Sequence, residues 1–167
     1  IGAYLSVMVK NDGADLFLHT GARPTIKGGF GFKVLDEVLK HGDTERILRA
    51  MENPYFNILA HPSGRLINER EPYEVDLEKI MEAASERECI LELNAHPDRL
   101  DLTDERCMMA REMGVKMSIS TDSHSISDLD FMRFGINQAR RGWLEKGDML
   151  NTLPLRELRT LLRRTMR

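Results

Sequence analysis

The stretch Cys89-Ile90-Leu91-Glu92-Leu93-Asn94-Ala95-His96-Pro97 decides the fold class of this chain of 167 residues. A short apolar run ends in polar residues, and Pro97 prevents the run from simply continuing. Two other stretches repeat the arrangement: residues 56–60 run into His61-Pro62-Ser63-Gly64, and residues 115–120 run into Thr121-Asp122-Ser123-His124. Each run has the length of a strand, so the pattern predicts three strands that end in polar side chains.

Helical patterns lie between and after these runs. One helix face is formed by Leu77, Ile80, Met81 and Ala84, and Thr103 can cap a helix that stops at Gly114. Strands that alternate with helices predict βαβ units, parallel strands and an α/β fold. In such folds the ligand site lies at the carboxyl ends of the strands, where the polar residues fall.

The pattern after the third run predicts a further helix. Ser127 with Asp130 resembles a capping box at its start. We expect five residues to line one side of this helix: Leu129, Met132, Ile136, Ala139 and Trp143.

Three of the polar residues have side chains that suit a divalent metal. Asp122 and His124 are two residues apart on a chain leaving a strand, so in extended geometry both point the same way. A carboxylate and an imidazole suit Zn²⁺, Mn²⁺ or Fe²⁺, and His61 from another strand can complete a set of three ligands. The alternative is structural: Asp122 caps a turn and His124 makes an ordinary hydrogen bond.

Other charged residues lie near the same strand ends. Glu92 stands inside an apolar strand, so we expect it to face a partner such as an arginine. Arg65 and Arg99 follow the strand ends at positions from which they can bind a phosphate bidentately. Surface salt bridges are the alternative for both arginines, and His96 reads as a loop residue.

Composition narrows the class of protein. A net charge of −3 argues against a protein that coats nucleic acid by bulk charge, although residues 133–167 carry nine basic and three acidic side chains. That segment is either a solvated helix face or an edge that attracts phosphate.

No apolar run approaches the ~18 residues of a membrane span, and residues 1–9 lack the features of a signal peptide. Cys89 and Cys107 read as small core residues, and we expect a cytoplasmic protein.

Six ordered blocks resemble a known family. The blocks are residues 44–54, ILAHPSGRL (58–66), REPYEVD (70–76), LELNAHPDRLDL (91–102), ISTDSHS (119–125) and ARRGWLEK (139–146). They resemble the carboxyl-terminal half of the PHP (polymerase and histidinol phosphatase) domain, in the version found in bacterial family X DNA polymerases. The resemblance implies part of a distorted seven-stranded β/α barrel with parallel strands. It also implies a divalent metal (Zn, Mn or Mg) held by His61, Asp122 and His124.

Other parts of the chain depart from this family. A complete PHP site has further His, Asp and Glu ligands. The sequence motifs that carry these ligands are not recognisable before Thr44. We therefore expect an incomplete metal site, a PHP-like half-barrel at residues 43–167, and a separate segment at residues 1–42. Residues 5–27 resemble the amino-terminal start of the pilus-retraction ATPases. A fusion of two unrelated segments would give such a combination.

These observations lead to one main hypothesis and two alternatives. The main one is a metal-dependent phosphoesterase, derived from a 3′-5′ exonuclease module, that acts on a phosphate ester or a DNA 3′ end. The first alternative is a non-catalytic module that forms a homo-oligomer, because half of a barrel exposes two sheet edges. The second is a module that binds DNA through the basic residues at 133–167.

Overall fold

The computed structural model describes residues 13–17, 25–28, 31–34 and 44–162. The first three ranges form strands β1 (Gly13–Phe17), β2 (Thr25–Gly28) and β3 (Gly31–Val34), which pair antiparallel in that order. The domain boundary expected at residues 42 and 43 lies outside the described residues, so it stays a prediction.

A second sheet carries the three strands expected from the apolar runs. They are β4 (Ile58–Leu59), β5 (Ile90–Asn94) and β6 (Met117–Ser120), and they pair in parallel in the order β4-β5-β6. The prediction of an α/β fold with parallel strands is therefore confirmed. Within the described ranges this sheet has three strands, so the barrel itself is not confirmed.

Five α-helices accompany the sheet in the described part of the chain. They are α1 (Thr44–Met51), α2 (Leu77–Arg87), α3 (Asp104–Glu112), α4 (Met132–Arg141) and α5 (Leu155–Leu161). Short 3₁₀ helices lie at Ile126–Phe131, Lys146–Asp148 and Leu150–Thr152. The Thr103 hydroxyl accepts a hydrogen bond from the Arg106 N–H, which confirms the predicted cap of α3.

The core lies between the sheet and the helices. All five residues of β5 are buried, as in a strand covered on both faces. The predicted face of α2 is buried against the core.

Cys89 and Cys107 are buried free thiols, as expected, and burial raises the pKa of Cys107 to about 12. Cys107 therefore stays protonated at neutral pH and cannot act as a nucleophile.

The helix after β6 differs from its prediction. The capping box is formed by Ser125 and Asp128, and it opens the 3₁₀ helix that precedes α4. Of the five residues expected on one side, Ala139 is buried and Met132 is half-buried, but the other three are exposed: Leu129, Ile136 and Trp143. The physical reason is that α4 packs against the sheet through Gly135. A Cβ at this position would lie 2.5 Å from Ile119 Cγ2 and 2.8 Å from Ala95 Cβ.

One edge of the parallel sheet is closed by the segment that follows α4. Met149 forms a parallel bridge to Met117. The Asn151 side chain accepts a hydrogen bond from the Ile119 N–H at 2.8 Å and donates one to the Ile119 carbonyl at 2.9 Å. The backbone groups of Ile119 on the outer side of β6 are therefore paired.

Among the residues described, no helix has both the length and the apolar character that a membrane span requires.

Candidate functional site

The carboxyl ends of β4, β5 and β6 bring together side chains that are far apart in the sequence. His61 follows β4, Asp122 follows β6, and Asn94 is the last residue of β5. His61 Nε2 lies 3.8 Å from Asp122 Oδ2. The structure therefore places two of the three residues proposed as metal ligands in proximity.

Asn94 connects these two residues from the middle strand. Its side chain is fully buried, and Nδ2 lies 3.2 Å from Asp122 Oδ2 and 3.3 Å from His61 Nδ1. Its Oδ1 accepts a hydrogen bond from the His96 N–H at 3.0 Å, which sets the orientation of the amide. Sequence reasoning placed Asn94 at this edge but gave it no role.

Glu92 has the partners that its burial requires, as expected, but these are groups of the site rather than an arginine. Glu92 Oε2 accepts the backbone N–H of His61 at 2.7 Å, and Oε1 accepts a short hydrogen bond from the Ser120 hydroxyl. Oε2 also lies 3.4 Å from His61 Nδ1. The reason is the period of the strand: residues 92 and 94 project on the same side of β5, toward the residues that follow β4 and β6.

Both residues of the central pair have unusual backbone conformations. The φ angle is 49° at His61 and 53° at Asp122, in the left-handed region that non-glycine residues rarely adopt. Such conformations persist where the surroundings over-determine them, and four other non-glycine residues of the described ranges adopt them outside the pair: Asn68, Glu88, Leu100 and Trp143.

The turn that carries His61 is anchored by a buried acid that sequence reasoning missed. Asp101 is fully buried and accepts hydrogen bonds from the Ser63 hydroxyl at 2.7 Å and the Gly64 N–H at 2.9 Å. Burial raises the pKa of Asp101, although these hydrogen bonds act in the opposite direction. The signal that the sequence offered for a buried acid was its position between two apolar residues, Leu100 and Leu102.

Gly64 allows this turn to form. Its φ angle is 63°, and a Cβ there would lie within 2.0 Å of atoms in the Tyr73 ring. A larger residue at position 64 would therefore be both strained and blocked by Tyr73.

The remaining predicted site residues surround the pair. Arg99 Nε lies 3.4 Å from Asp122 Oδ2. Arg65 donates to the backbone carbonyls of Arg99 and Leu100, so two of its nitrogens already have partners. His124 is exposed, and its Nδ1 lies 2.7 Å from the backbone carbonyl of Asp122.

The chemistry of these side chains fits a divalent cation in part. Ligand bonds of about 2.0–2.2 Å place two donor atoms of one cation roughly 3–3.5 Å apart, close to the separation of His61 Nε2 and Asp122 Oδ2. An imidazole and a carboxylate are also suitable ligand types. Across the described residues, however, no group of three or more His, Cys, Asp or Glu side chains converges closely enough to hold an ion.

Comparison with known proteins identifies relatives with phosphoester chemistry in their names. The chain is 42% identical over 125 residues to the DNA polymerase/3′-5′ exonuclease PolX of Bacillus subtilis (strain 168). The aligned stretch covers 75% of this chain and 22% of PolX. It is 27% identical over 127 residues to a probable phosphatase of Thermoanaerobacter sp. (strain X514), covering 72% of this chain and 49% of the relative. A probable phosphatase of Caldanaerobacter subterraneus is 29% identical over 96 residues, which is 52% of this chain and 34% of the relative.

The chain spans between about a fifth and a half of the length of these curated relatives. No family model matches it. The relatives give no support to the resemblance of residues 5–27 to pilus-retraction ATPases, which stays a prediction. The chain is homologous to PolX and to these probable phosphatases, and this relationship supports the PHP-domain resemblance predicted from the sequence.

Proposed function

We propose that this chain is a metal-dependent phosphoesterase module of the PHP type, related to the 3′-5′ exonuclease part of PolX. His61, Asp122 and His124 are the proposed ligands of a divalent cation, with Zn, Mn and Mg as the candidates. The observation that carries the proposal is the approach of His61 Nε2 to Asp122 Oδ2 from the ends of two strands, in a chain similar to PolX over three quarters of its length.

The charges around the pair favour a cation. The carboxylates of Glu92 and Asp122 lie on either side of the His61 ring, at 3.4 Å from Nδ1 and 3.8 Å from Nε2. Arg99 lies beside the Asp122 carboxylate, with its Nε 3.4 Å from Oδ2, whereas the Glu92 carboxylate accepts hydrogen bonds from the His61 N–H and the Ser120 hydroxyl. The Asp122 carboxylate and the His61 imidazole nitrogen would bind a divalent cation there, and the negative charge of the nearby Glu92 carboxylate would favour that cation.

Such a cation supplies a bound water of lowered pKa and a Lewis acid for a phosphate oxygen. His61 and Asp122 present the donor atoms that hold it. Arg99 is the proposed phosphate contact, because its Nε faces Asp122 and the rest of its guanidinium can donate to phosphate oxygens. Arg65 holds the loop that carries Arg99 through two backbone carbonyls, and its remaining N–H groups are proposed to contact the same phosphate.

The proposed substrates are a phosphate monoester or a DNA 3′ end. The test is to incubate the full chain with Zn²⁺ or Mn²⁺, remove free metal, measure retained metal by elemental analysis, and assay p-nitrophenyl phosphate and a DNA labelled at its 3′ end. Asp122→Asn removes a ligand, so we expect retained metal to be lost and hydrolysis to fall by more than about 100-fold. Asp98→Asn is the matched control, because Asp98 faces His96 at 3.7 Å outside the pair.

Three outcomes would contradict the proposal. Undiminished hydrolysis in Asp122→Asn would remove the residue from the reaction. A chain that retains no metal would favour the non-catalytic alternative. DNA retention that falls steeply with salt and needs no metal would favour the DNA-binding alternative.

A further inference from the structure

We propose that Glu92 is a positioning residue of this site, which holds His61 and the end of β6 in register through two hydrogen bonds. The link to catalysis rests on the function proposed above, but the hydrogen bonds can be tested without metal or substrate. Glu92 belongs to β5, between the strands that carry the two residues of the pair.

The two oxygens of Glu92 reach the neighbours on either side. Oε2 accepts the His61 N–H at 2.7 Å, and Oε1 accepts the hydroxyl of Ser120, two residues before Asp122. One carboxylate therefore connects His61, two residues beyond β4, to Ser120, the last residue of β6. A change in either hydrogen bond would shift one member of the pair relative to the other.

The hydrogen bond to His61 also acts on the backbone. His61 has a φ angle of 49°, a conformation that is strained for a non-glycine residue and needs support from its surroundings. A charge-assisted hydrogen bond of 2.7 Å to its N–H favours that conformation. Because the backbone sets the direction of the Cα–Cβ bond of His61, Glu92 also contributes to where His61 Nε2 points.

Burial supports positioning rather than direct ligation. Glu92 is 7% exposed, and both of its oxygens already accept hydrogen bonds from the protein. The 3.4 Å contact with His61 Nδ1 lies on the side of the ring away from the nitrogen that faces Asp122. Carboxylates that support a ligating histidine in this way typically change metal affinity 10–100-fold when removed.

Two substitutions separate the two roles. In Glu92→Gln the amide oxygen can still accept the His61 N–H, and the amide NH₂ can donate to the Ser120 hydroxyl, which is an acceptor as well as a donor. Glutamine therefore preserves a positioning role but removes the negative charge that makes a carboxylate a strong ligand of a divalent cation. Glu92→Ala removes both the hydrogen-bond acceptors and the negative charge. Glu82→Ala, an exposed acid on α2, is the control for loss of a carboxylate.

Two measurements are made on each protein. Amide hydrogen exchange of His61, followed by NMR in the metal-free chain, measures the hydrogen bond itself. Titration calorimetry with Mn²⁺ alone measures metal affinity without turnover. We expect Glu92→Ala to lose protection of the His61 amide and to bind Mn²⁺ about 10–100-fold more weakly, whereas Glu92→Gln and Glu82→Ala stay within about 3-fold of the parent chain.

Other results overturn either the role of Glu92 or the proposed function, and the two can be told apart. If Glu92→Gln is as impaired in Mn²⁺ binding as Glu92→Ala, Glu92 is a ligand. If Glu92→Ala is folded and unchanged in both measurements, Glu92 has no positioning role. If Glu92→Ala does not fold, a rapidly exchanging His61 amide in the parent chain, or its loss of protection in Glu92→Gln, still contradicts the proposal. A parent chain that binds no Mn²⁺ but protects the His61 amide refutes the proposed function and leaves the Glu92 contact standing.

Discussion

Two buried acids organise the edge of the sheet where the candidate site lies. Glu92 connects the end of β4 to the end of β6, and Asp101 anchors the turn from His61 to Gly64. Both are buried, and both use their oxygens on backbone N–H groups and hydroxyls rather than on arginines. Buried charges are costly unless their hydrogen bonds are complete, so each acid holds the segments that supply those bonds.

The raised pKa of Asp101 gives a prediction about pH. Between the unfolded value near 3.8 and the higher folded value, the folded chain keeps a proton that the unfolded chain has released. The contribution of Asp101 to stability is therefore complete below pH 3.8 and declines as pH rises through the folded pKa. We expect the free energy of unfolding of Asp101→Asn, measured in urea at a series of pH values, to fall less over that range than that of the parent chain.

A control with the opposite sign exists at the start of α2. The Asp76 side chain accepts the Lys79 N–H, and this hydrogen bond lowers the pKa of Asp76. Its contribution is present above pH 3.8 and is lost as pH falls through the folded pKa, so Asp76→Asn should change the acid side of the profile. If Asp101→Asn and the parent chain differ by a constant amount at every pH, the account of Asp101 is wrong.

At the scale of the elements, close packing of α4 on the sheet depends on one glycine. The space at Gly135 is filled by Ile119 of β6 and by Ala95, which follows β5. This contact sets the height of α4 above the strands that end in the candidate site. It also explains why Ile136, beside it in the sequence, is 40% exposed.

Gly135→Ala tests this packing. Alanine favours a helix by about 1 kcal/mol over glycine, but overpacking of a core contact costs about 1–3 kcal/mol. Because Ala95 Cβ would lie at 2.8 Å and cannot move without its backbone, we expect a net loss of about 1–2 kcal/mol in the free energy of unfolding, measured with urea.

Gly147→Ala is the matched control, because no atom lies within 4 Å of an added Cβ there. It should change the free energy of unfolding by no more than about 0.5 kcal/mol. Gly135→Ala with equal or greater stability than the parent chain would show that α4 has room to move.

At the scale of the whole molecule, the two edges of the parallel sheet differ. On the β6 side, Met149 and Asn151 pair with the strand. On the β4 side, the sheet formed by the described residues ends, with Ile58 39% exposed. Self-association, which stays a prediction, is therefore expected on the β4 side.

Light scattering over a range of concentrations tests self-association. We expect a mass that rises above the 19.2 kDa of one chain, and a return toward that mass in Ile58→Lys, because a lysine at an exposed strand edge opposes pairing. Lys146→Ala, an exposed position away from β4, is the control. The mass of one chain at every concentration would exclude a homo-oligomer.

Much of the architecture could be predicted because its signals are local. The apolar runs before His61, Asn94 and Thr121 have strand length, and the Thr103 cap needs only the three residues after it. The prediction of which side of α4 is buried was wrong in part. Gly135 is the residue that contacts the sheet, but a glycine adds nothing to a hydropathy pattern. The pair His61 and Asp122 was within reach of sequence reasoning because parallel strands end at one edge.

The sequence by itself determined the alternation of strands and helices, the parallel order, and the edge at which polar residues gather, since each follows from periodicity and cap chemistry along the chain. Only the tertiary structure decided which groups meet: Glu92 with His61 and Ser120, Asp101 with Ser63, and Arg99 with Asp122. The physical reason is that a buried charge takes the donors that folding brings within about 3 Å, and those donors are 28 to 38 residues away for Glu92 and Asp101.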